Sequence, residues 1–354
     1  MHSITRQPRL LVKMSGAPET LRFTLPQERD LKLAFEPLFR SLGQATPALN
    51  TNPQWYVMAA QTQADEVNSW DLCHRLLAGG FGVTGMPSPV FAEPDFEQQW
   101  IFGTPSSHAL ALTSPSDAAA GPDPKLPFVR DNLYWFRDAD HSQLELARRQ
   151  AGNPSAAKRV RIAHFDTGYD PAHSALPRFL RRDLQRNFVD QQFPNDASDR
   201  SSGFVNNLGH GTGTIGILAL GGAPQAEVVP VRIANSVALF RNSAVAQAFD
   251  YAHSLSNGAR TRIHVITMSM GGLASRAWAE AVHQLYEEGV FIVAAAGNNF
   301  GNLPTHHMVY PARFGRVVAV TTKWNGSPRS CIRCITVSLP APDGPEITIS
   351  SGCG

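Results

Sequence analysis

The chain has 354 residues, enough for one large α/β domain beside a smaller one and for a substantial core. Apolar residues make up 43% and charged residues 17%, which excludes a disordered chain, and no apolar run reaches the roughly eighteen residues of a membrane-spanning helix. A formal charge of +2 gives no general attraction to nucleic acid or anionic lipid, so neither is expected as a partner.

In chain order, residues 1–16 carry Arg6, Arg9 and Lys13 but no apolar stretch of secretion-signal length, which favours the cytoplasm. Residues 1–50 read as an N-terminal extension, polar and punctuated by proline, with one amphipathic helix expected around Glu28–Leu42. Residues 51–98 read as a small α+β unit. Trp55–Ala60 predicts a strand, and Glu66–Leu77 a helix with Val67, Trp70, Leu72, Leu76 and Leu77 near helical spacing. Pro89–Pro94 predicts a second strand. Residues 99–128 form a linker, because 113–127 concentrate Ser, Ala, Pro, Gly and Asp.

Residues 129–354 have the texture of a larger α/β domain. Short apolar runs at Val160–Phe165, Val228–Ile233, Ile263–Met268, Val290–Ala295 and Val317–Val320 predict strands. Between them Ser243–Ser256 and Ser275–Glu288 predict helices, each opened by a serine N-cap and closed by Gly258 or Gly289. Strands alternating with helices of this length imply right-handed crossovers and a mainly parallel sheet, with functional groups gathered at the strands' carboxyl ends.

Three segments carry chemistry. Asp166, in Phe165-Asp166-Thr167-Gly168, ends an apolar run in a turn, where a carboxylate can accept the Nδ1 proton of a histidine. His210, in Gly209-His210-Gly211-Thr212, opens an apolar helix that would hold a base rigidly yet reachably. Asn298 closes Ala295-Ala296-Gly297-Asn298, a run of small residues ending in an amide donor suited to a developing oxyanion. Ser269-Met270-Gly271-Gly272 would let an extended peptide approach the backbone. Alone, each motif also fits a structural turn.

In this order the segments resemble the subtilisin-like serine proteases (subtilases), over about Arg159–Thr322. The resemblance implies a three-layer α/β fold with a central mainly parallel sheet, and hydrolysis of peptide bonds by a serine-type endopeptidase. It implies that Asp166 orients the base, that His210 is the general base and acid, and that Asn298 is the oxyanion donor. Ser269, Met270, Gly271 and Gly272 would line the peptide cleft, and Ala294 to Gly297, with Ala295 and Ala296 between them, would wall the specificity pocket. No metal or organic cofactor enters such chemistry. The implied partners are a polypeptide substrate and an intramolecular pro-segment, for which residues 51–98 stand in the expected place.

The family's nucleophile, a serine in a Gly-Thr-Ser setting, is not among the 354 residues. Ser350 and Ser351 lack a following helix, so the peptidase domain reads as C-terminally incomplete and this polypeptide is expected to be inactive or nearly so. A non-catalytic protease-shaped binding protein stays open on the same ground. Asp-Thr-Gly is also the signature of aspartic proteases, but with one copy here that reading needs a homodimer pairing two Asp166 carboxyls. Subtilases often bind structural calcium; the cluster Asp190, Asn195, Asp196 and Asp199 reads instead as loop solvation, and no metal site is assigned. Cys331 and Cys334 make a single CxxC, short of the ligands zinc requires, and read as free thiols.

Overall fold

The computed structural model of the chain describes residues 8–16, 23–25, 28–43, 53–61, 68–79, 87–99, 143–174, 176–200, 208–236, 239–256, 258–297, 308–324, 333–339 and 347–350. Five antiparallel strands come first: β1 (Arg9–Met14), β2 (Phe23–Leu25), β3 (Glu28–Pro37), β4 (Gln54–Gln61) and β5 (Pro89–Pro94), in the order β2-β3-β4-β1-β5. Helix α1 (Ser69–Leu77) packs on this sheet; the side chain of Asn68 accepts the Trp70 N–H at its start. Alternation along β1 separates two cores. Leu10, Val12 and Met14 join Leu72 and Leu76 of α1, whereas Leu11 points to the opposite face and enters the core of the larger domain.

The helix expected over Glu28–Leu42 is not formed. Leu31, Leu33 and Phe35 recur at a period of two, and β3 pairs along β4 from Lys32 opposite Gln61 to Pro37 opposite Tyr56. The sheet also takes strands from both sides of residue 50, with β4 at its centre and β1 between β4 and β5. Strands over residues 54–61 and 89–94 and the helix before residue 77 match expectation. The linker at 113–127 lies outside the described residues.

The remaining elements are β6 (Glu97–Gln99), α2 (Leu144–Ala151), β7 (Arg161–Asp166), β8 (Arg186–Asn187), α3 (His210–Gly216), β9 (Glu227–Arg232), β10 (Ala234–Ser236), β11 (Leu239–Arg241), α4 (Asn242–Ser256), β12 (Val265–Met268), α5 (Arg276–Glu287), β13 (Phe291–Ala295), β14 (Val318–Trp324), β15 (Arg333–Leu339) and β16 (Ile347–Ser350). Eight of these strands form a sheet in the order β16-β15-β14-β13-β12-β7-β9-β8. From β14 to β8 the pairing is parallel, and β15 and β16 add antiparallel strands at one edge. The chain is therefore α/β with a mainly parallel central sheet.

Side-chain alternation makes this sheet the middle of three layers. Ala163 and Phe165 of β7, with Val229 and Val231 of β9, face the core shared with α4 and α5, where Trp278 and Phe249 are fully buried. Val228 and the polar residues His164 and Asp166 take the other face, toward α3 and its buried Ile215. Among the described residues no helix is long and apolar enough to cross a membrane.

The N-terminal sheet sits on α4 and α5 through carboxylates that satisfy backbone donors. Glu93 accepts the Ser275 hydroxyl at 2.7 Å and the N–H groups of Arg276 and Ala277 at 2.9 and 3.3 Å, at the start of α5. Asp95 accepts the Ser243 N–H and hydroxyl, both at 2.8 Å, at the start of α4. Reciprocally, Asp250 of α4 accepts the N–H groups of Arg40, Ser41 and Leu42 at 2.9, 2.8 and 2.7 Å. The expectation that Ser243 caps its own helix is thereby corrected: α4 begins at Asn242, and Ser243 spends both donors on Asp95. Ser275 does cap α5, its oxygen accepting the Trp278 N–H at 3.3 Å.

Candidate active site

Parallel register lines up the carboxyl ends of three adjacent strands. Phe165 of β7 stands opposite Met268 of β12, and Met268 opposite Ala294 of β13. Asp166, Ser269 and Ala295 therefore follow one another along the same edge, where parallel α/β sheets place their functional groups.

Asp166 is fully buried. Its Oδ1 accepts the Thr167 N–H at 2.7 Å and the Nδ1–H of His210 at 2.7 Å, and its Oδ2 accepts the Thr214 hydroxyl at 3.0 Å. The Ile233 N–H fixes the Asp166 carbonyl at 2.9 Å, continuing the β7–β9 ladder past its last pair. Gly168 turns the chain away with φ +110°, a region that disfavours any side chain. The residue after His210 must also be small. A Cβ at Gly211 would overlap the Gly168 carbonyl and come within 3.1 Å of Asp166 Oδ1. That close approach seats the start of α3 on the end of β7.

His210 is held by Nδ1 alone, and its side chain keeps 29% exposure. Burial opposes its charge, but the hydrogen bond to Asp166, the charge of Asp166 and that of Asp199 together raise its pKa above the ordinary value. For Asp166, burial pushes upward while His210, His164 and the Thr167 N–H pull downward, and the net direction is down. Both directions favour an ionised Asp166 accepting the Nδ1–H of the imidazole. Asp199 completes the surroundings by accepting the Gly209 N–H at 2.8 Å, just before α3. A carboxylate engaged on both oxygens inside the fold cannot share a proton with a second aspartate across a dimer, which removes the aspartic-protease alternative.

The expected cleft segments lie along the same edge. Ser269 is exposed and Met270 buried. Gly272 forms an antiparallel bridge with Tyr310, its N–H at 2.8 Å from the Tyr310 carbonyl and its carbonyl accepting the Tyr310 N–H at 2.9 Å. Both backbone groups of Gly272 are thus spent on Tyr310 and are not available to a peptide. Ala295 ends β13 half-buried, Ala296 is buried with its N–H on the Val320 carbonyl at 2.8 Å, and Gly297 is exposed with φ +92°. Val309 stands between the two segments: a Cβ on Gly297 would meet its methyls at 3.1 and 3.2 Å, and one on Gly271 would overlap it. Asn298 lies outside the described residues, as do Ser351 and Cys331.

Within the 190–199 stretch the polar groups are used locally. Asp190 accepts the Gln192 N–H at 3.0 Å, Asn195 accepts from Arg186, and Asp196 holds Ser198 and Arg200. Among the described residues no group of three or more His, Cys, Asp and Glu side chains is placed to hold a metal ion. The residues missed by sequence reasoning are His164, Thr214, Val309 and Tyr310, while Asp199, read as loop solvation, accepts the Gly209 N–H beside the pair. For the first two a signal existed: His164 is two positions before Asp166 on a strand, and Thr214 one turn after His210 on a helix, so both share the acid's surroundings.

Residues 157–330, which contain this pair and both cleft segments, match the model of the subtilase family. Over that stretch, just under half of the chain, the sequence is similar to the subtilases. Subtilisin DY of Bacillus licheniformis is 34% identical over 162 residues, 46% of this chain and 55% of its own length. Thermitase of Thermoactinomyces vulgaris is 28% identical over 198 residues, 53% of this chain and 63% of its own. A subtilisin-like protease of Coccidioides posadasii is 33% identical over 150 residues, covering 41% and 34%. The chain spans from about a third to under two thirds of the length of these subtilase relatives. Subtilase hydrolases are serine endopeptidases that need no cofactor for the chemistry.

Proposed function

We propose that this chain supplies the acid and base of a subtilase that hydrolyses peptide bonds in polypeptides. The observation that carries the reading is the 2.7 Å hydrogen bond from His210 Nδ1 to the buried Asp166 Oδ1 at the carboxyl edge of the sheet. With Nδ1–H committed to Asp166, the neutral imidazole leaves Nε2 as the lone-pair nitrogen that takes a proton from a serine hydroxyl as it attacks a carbonyl. The same nitrogen returns the proton to the departing amine, and Asp166 stabilises the intervening imidazolium. The acyl-enzyme then reacts with water by the same relay. Ser269 to Gly271 would pair with the extended substrate, Ala295 to Gly297 would wall the pocket, and Asn298 would donate to the oxyanion.

The 354 residues hold no serine in the nucleophile's setting, so this polypeptide by itself is expected neither to react with a fluorophosphonate probe nor to digest casein. The deciding experiment sequences the coding DNA beyond codon 354 in all three frames and expresses any longer product. A longer product that labels with fluorophosphonate and cuts casein, and loses both in Asp166→Asn and His210→Ala, supports the reading. Casein digestion by the 354-residue chain at ordinary protease rates would overturn its expected inactivity, and activity kept in Asp166→Asn and His210→Ala would overturn the assignment. The second reading is a protease-shaped binding protein. Tight peptide binding without turnover in every available product would select it.

Residues 9–99 are proposed as an intramolecular pro-segment. The support is the docking of Glu93 and Asp95 on the two helix starts, and the pairing of β6 with β11 just beyond them.

A further inference from the structure

His164 is a polar residue in an otherwise apolar strand, 3% exposed, and the acid–base relay makes no use of it. Its Nε2 is 2.9 Å from Thr214 Oγ1 and 3.7 Å from Asp166 Oδ2. Thr214 Oγ1 in turn lies 3.0 Å from Asp166 Oδ2, and 3.2 Å from the carbonyls of both His210 and Gly211. A hydroxyl has one proton to give, and three acceptors surround this one. Threonine inside a helix ordinarily returns that proton to a carbonyl one turn back.

We propose that His164 and Thr214 are positioning residues for Asp166: the Nε2–H of His164 donates to Thr214 Oγ1, which turns the hydroxyl proton onto Asp166 Oδ2 and reserves Oδ1 for His210. The proton count leaves little choice. If His164 presented a bare Nε2, it would take the hydroxyl proton, and the fully buried Oδ2 would face a lone pair at 3.0 Å with no other donor among the described residues. An unsatisfied buried carboxylate oxygen is among the costlier defects a core can hold. If the proton went to the His210 carbonyl, the same conflict would arise. With Nε2–H donating, the Thr214 hydroxyl both accepts and donates, and the carboxylate is fixed at both oxygens. Burial also holds the His164 pKa below its ordinary value against the pull of Asp166, with His210 pushing the same way as burial, so the ring is neutral and carries a single N–H.

The charged groups facing the pair are few. Besides His164 and Asp166 of β7 and His210 of α3, they are Asp199 in the preceding turn and Arg232 of β9, whose charge acts on Asp199. The inference deepens the acid–base reading of Asp166 and His210, but its readout is independent of turnover. Failure here would leave that reading in place, and loss of activity elsewhere would not affect this test.

The test uses the full chain labelled with 15N and long-range 1H–15N correlation of the histidine rings. His164 is expected as the Nε2–H tautomer across the folded pH range, and the Nδ1–H tautomer would overturn the proposal without any variant. In Thr214→Val the carboxylate's charge concentrates on Oδ1, so the His210 titration midpoint is expected to move up. Thr214→Ser should restore it. His164→Leu should shift it in the same direction, and His164→Gln, which keeps an N–H near Nε2, should shift it less. A folded Thr214→Val whose His210 midpoint is unchanged or lower would reduce the arm to packing.

Discussion

Glu93 and Ser275 stand 182 positions apart in sequence and meet at 2.7 Å, the serine hydroxyl donating to Glu93 Oε1. Around that contact the carboxyl group also serves Arg276 and Ala277, so a residue of the first sheet completes the first turn of α5. Burial raises the Glu93 pKa despite these donors, so the charge is not what the site favours. Glu93→Gln, which keeps an acceptor at Oε1, is expected to alter stability by under about 1 kcal/mol. Glu93→Ala strands buried donors and should cost about 1–3 kcal/mol. Denaturant unfolding of the two variants checks the order, and an equal loss in both would show that charge dominates.

Asp250→Ala removes one carboxylate and leaves three N–H groups, those of Arg40, Ser41 and Leu42, without their acceptor. The expected loss is again about 1–3 kcal/mol. Amide exchange should quicken first at Arg40 to Leu42, and uniform quickening across the sheet would contradict a local role.

For the Asp166–His210 pair the pH dependence follows from the two directions. The Asp166 pKa is depressed, so its contribution is present above the ordinary value of 3.8 and is lost as pH falls through the folded value below it. The His210 pKa is raised, so its contribution is complete below the ordinary value of 6.5 and is lost as pH rises through the folded value above it. The pair therefore stabilises most between those ordinary values. Asp166→Asn should flatten the Tm profile at both ends and lower the His210 midpoint seen by NMR. A Tm profile unchanged by the substitution would show the pair to be energetically silent.

Two glycines on α3 predict opposite outcomes. Gly211→Ala drives a methyl into the Gly168 carbonyl, separates α3 from β7 and should abolish the His210–Asp166 hydrogen bond. Gly213→Ala meets nothing within 4 Å and should gain about 0.5–1 kcal/mol from helix propensity. Thermal unfolding, with the Nδ1–H resonance of His210 as local probe, separates them.

Trp278 is fully buried and its Nε1–H donates to the Asn242 carbonyl at 2.8 Å, tying α5 to the start of α4. Trp278→Ala is expected to cost about 3–5 kcal/mol through the cavity left. Trp278→Phe should recover much of the volume but not the donor, and unfolding curves of the two give the split.

Much of the larger domain was legible because its strands are short apolar runs and its helices lie between them. β7, β9, β12, β13 and β14 fall where Val160–Phe165 through Val317–Val320 predict them, and Asp166 and His210 meet as the motif order implies. What was not legible depends on partners far along the chain. Ser243 looks like a cap in sequence, yet its donors go to Asp95, 148 positions earlier. Leu31, Leu33 and Phe35 fit a strand period, but the polar residues between them suit a helix as well until β4 lies alongside. β1 was missed because Leu10 to Met14 reads as a short apolar run inside a polar stretch, and only its pairing with β4 and β5 makes it an interior strand. His164 and Thr214 were passed over because a lone histidine and a threonine have no signature apart from the carboxylate they share.

The alternation of β7 sets a limit on how this gene can change length. Inserting or deleting one codon between Arg161 and Asp166 would exchange the faces, turning Phe165 toward α3 and Asp166 into the apolar layer beneath α4. Two codons would preserve the faces yet move the acid by about 6.6 Å along the strand, beyond reach of His210. Substitutions in this strand can be graded in effect, whereas every change of one or two residues in its length separates the acid from its base.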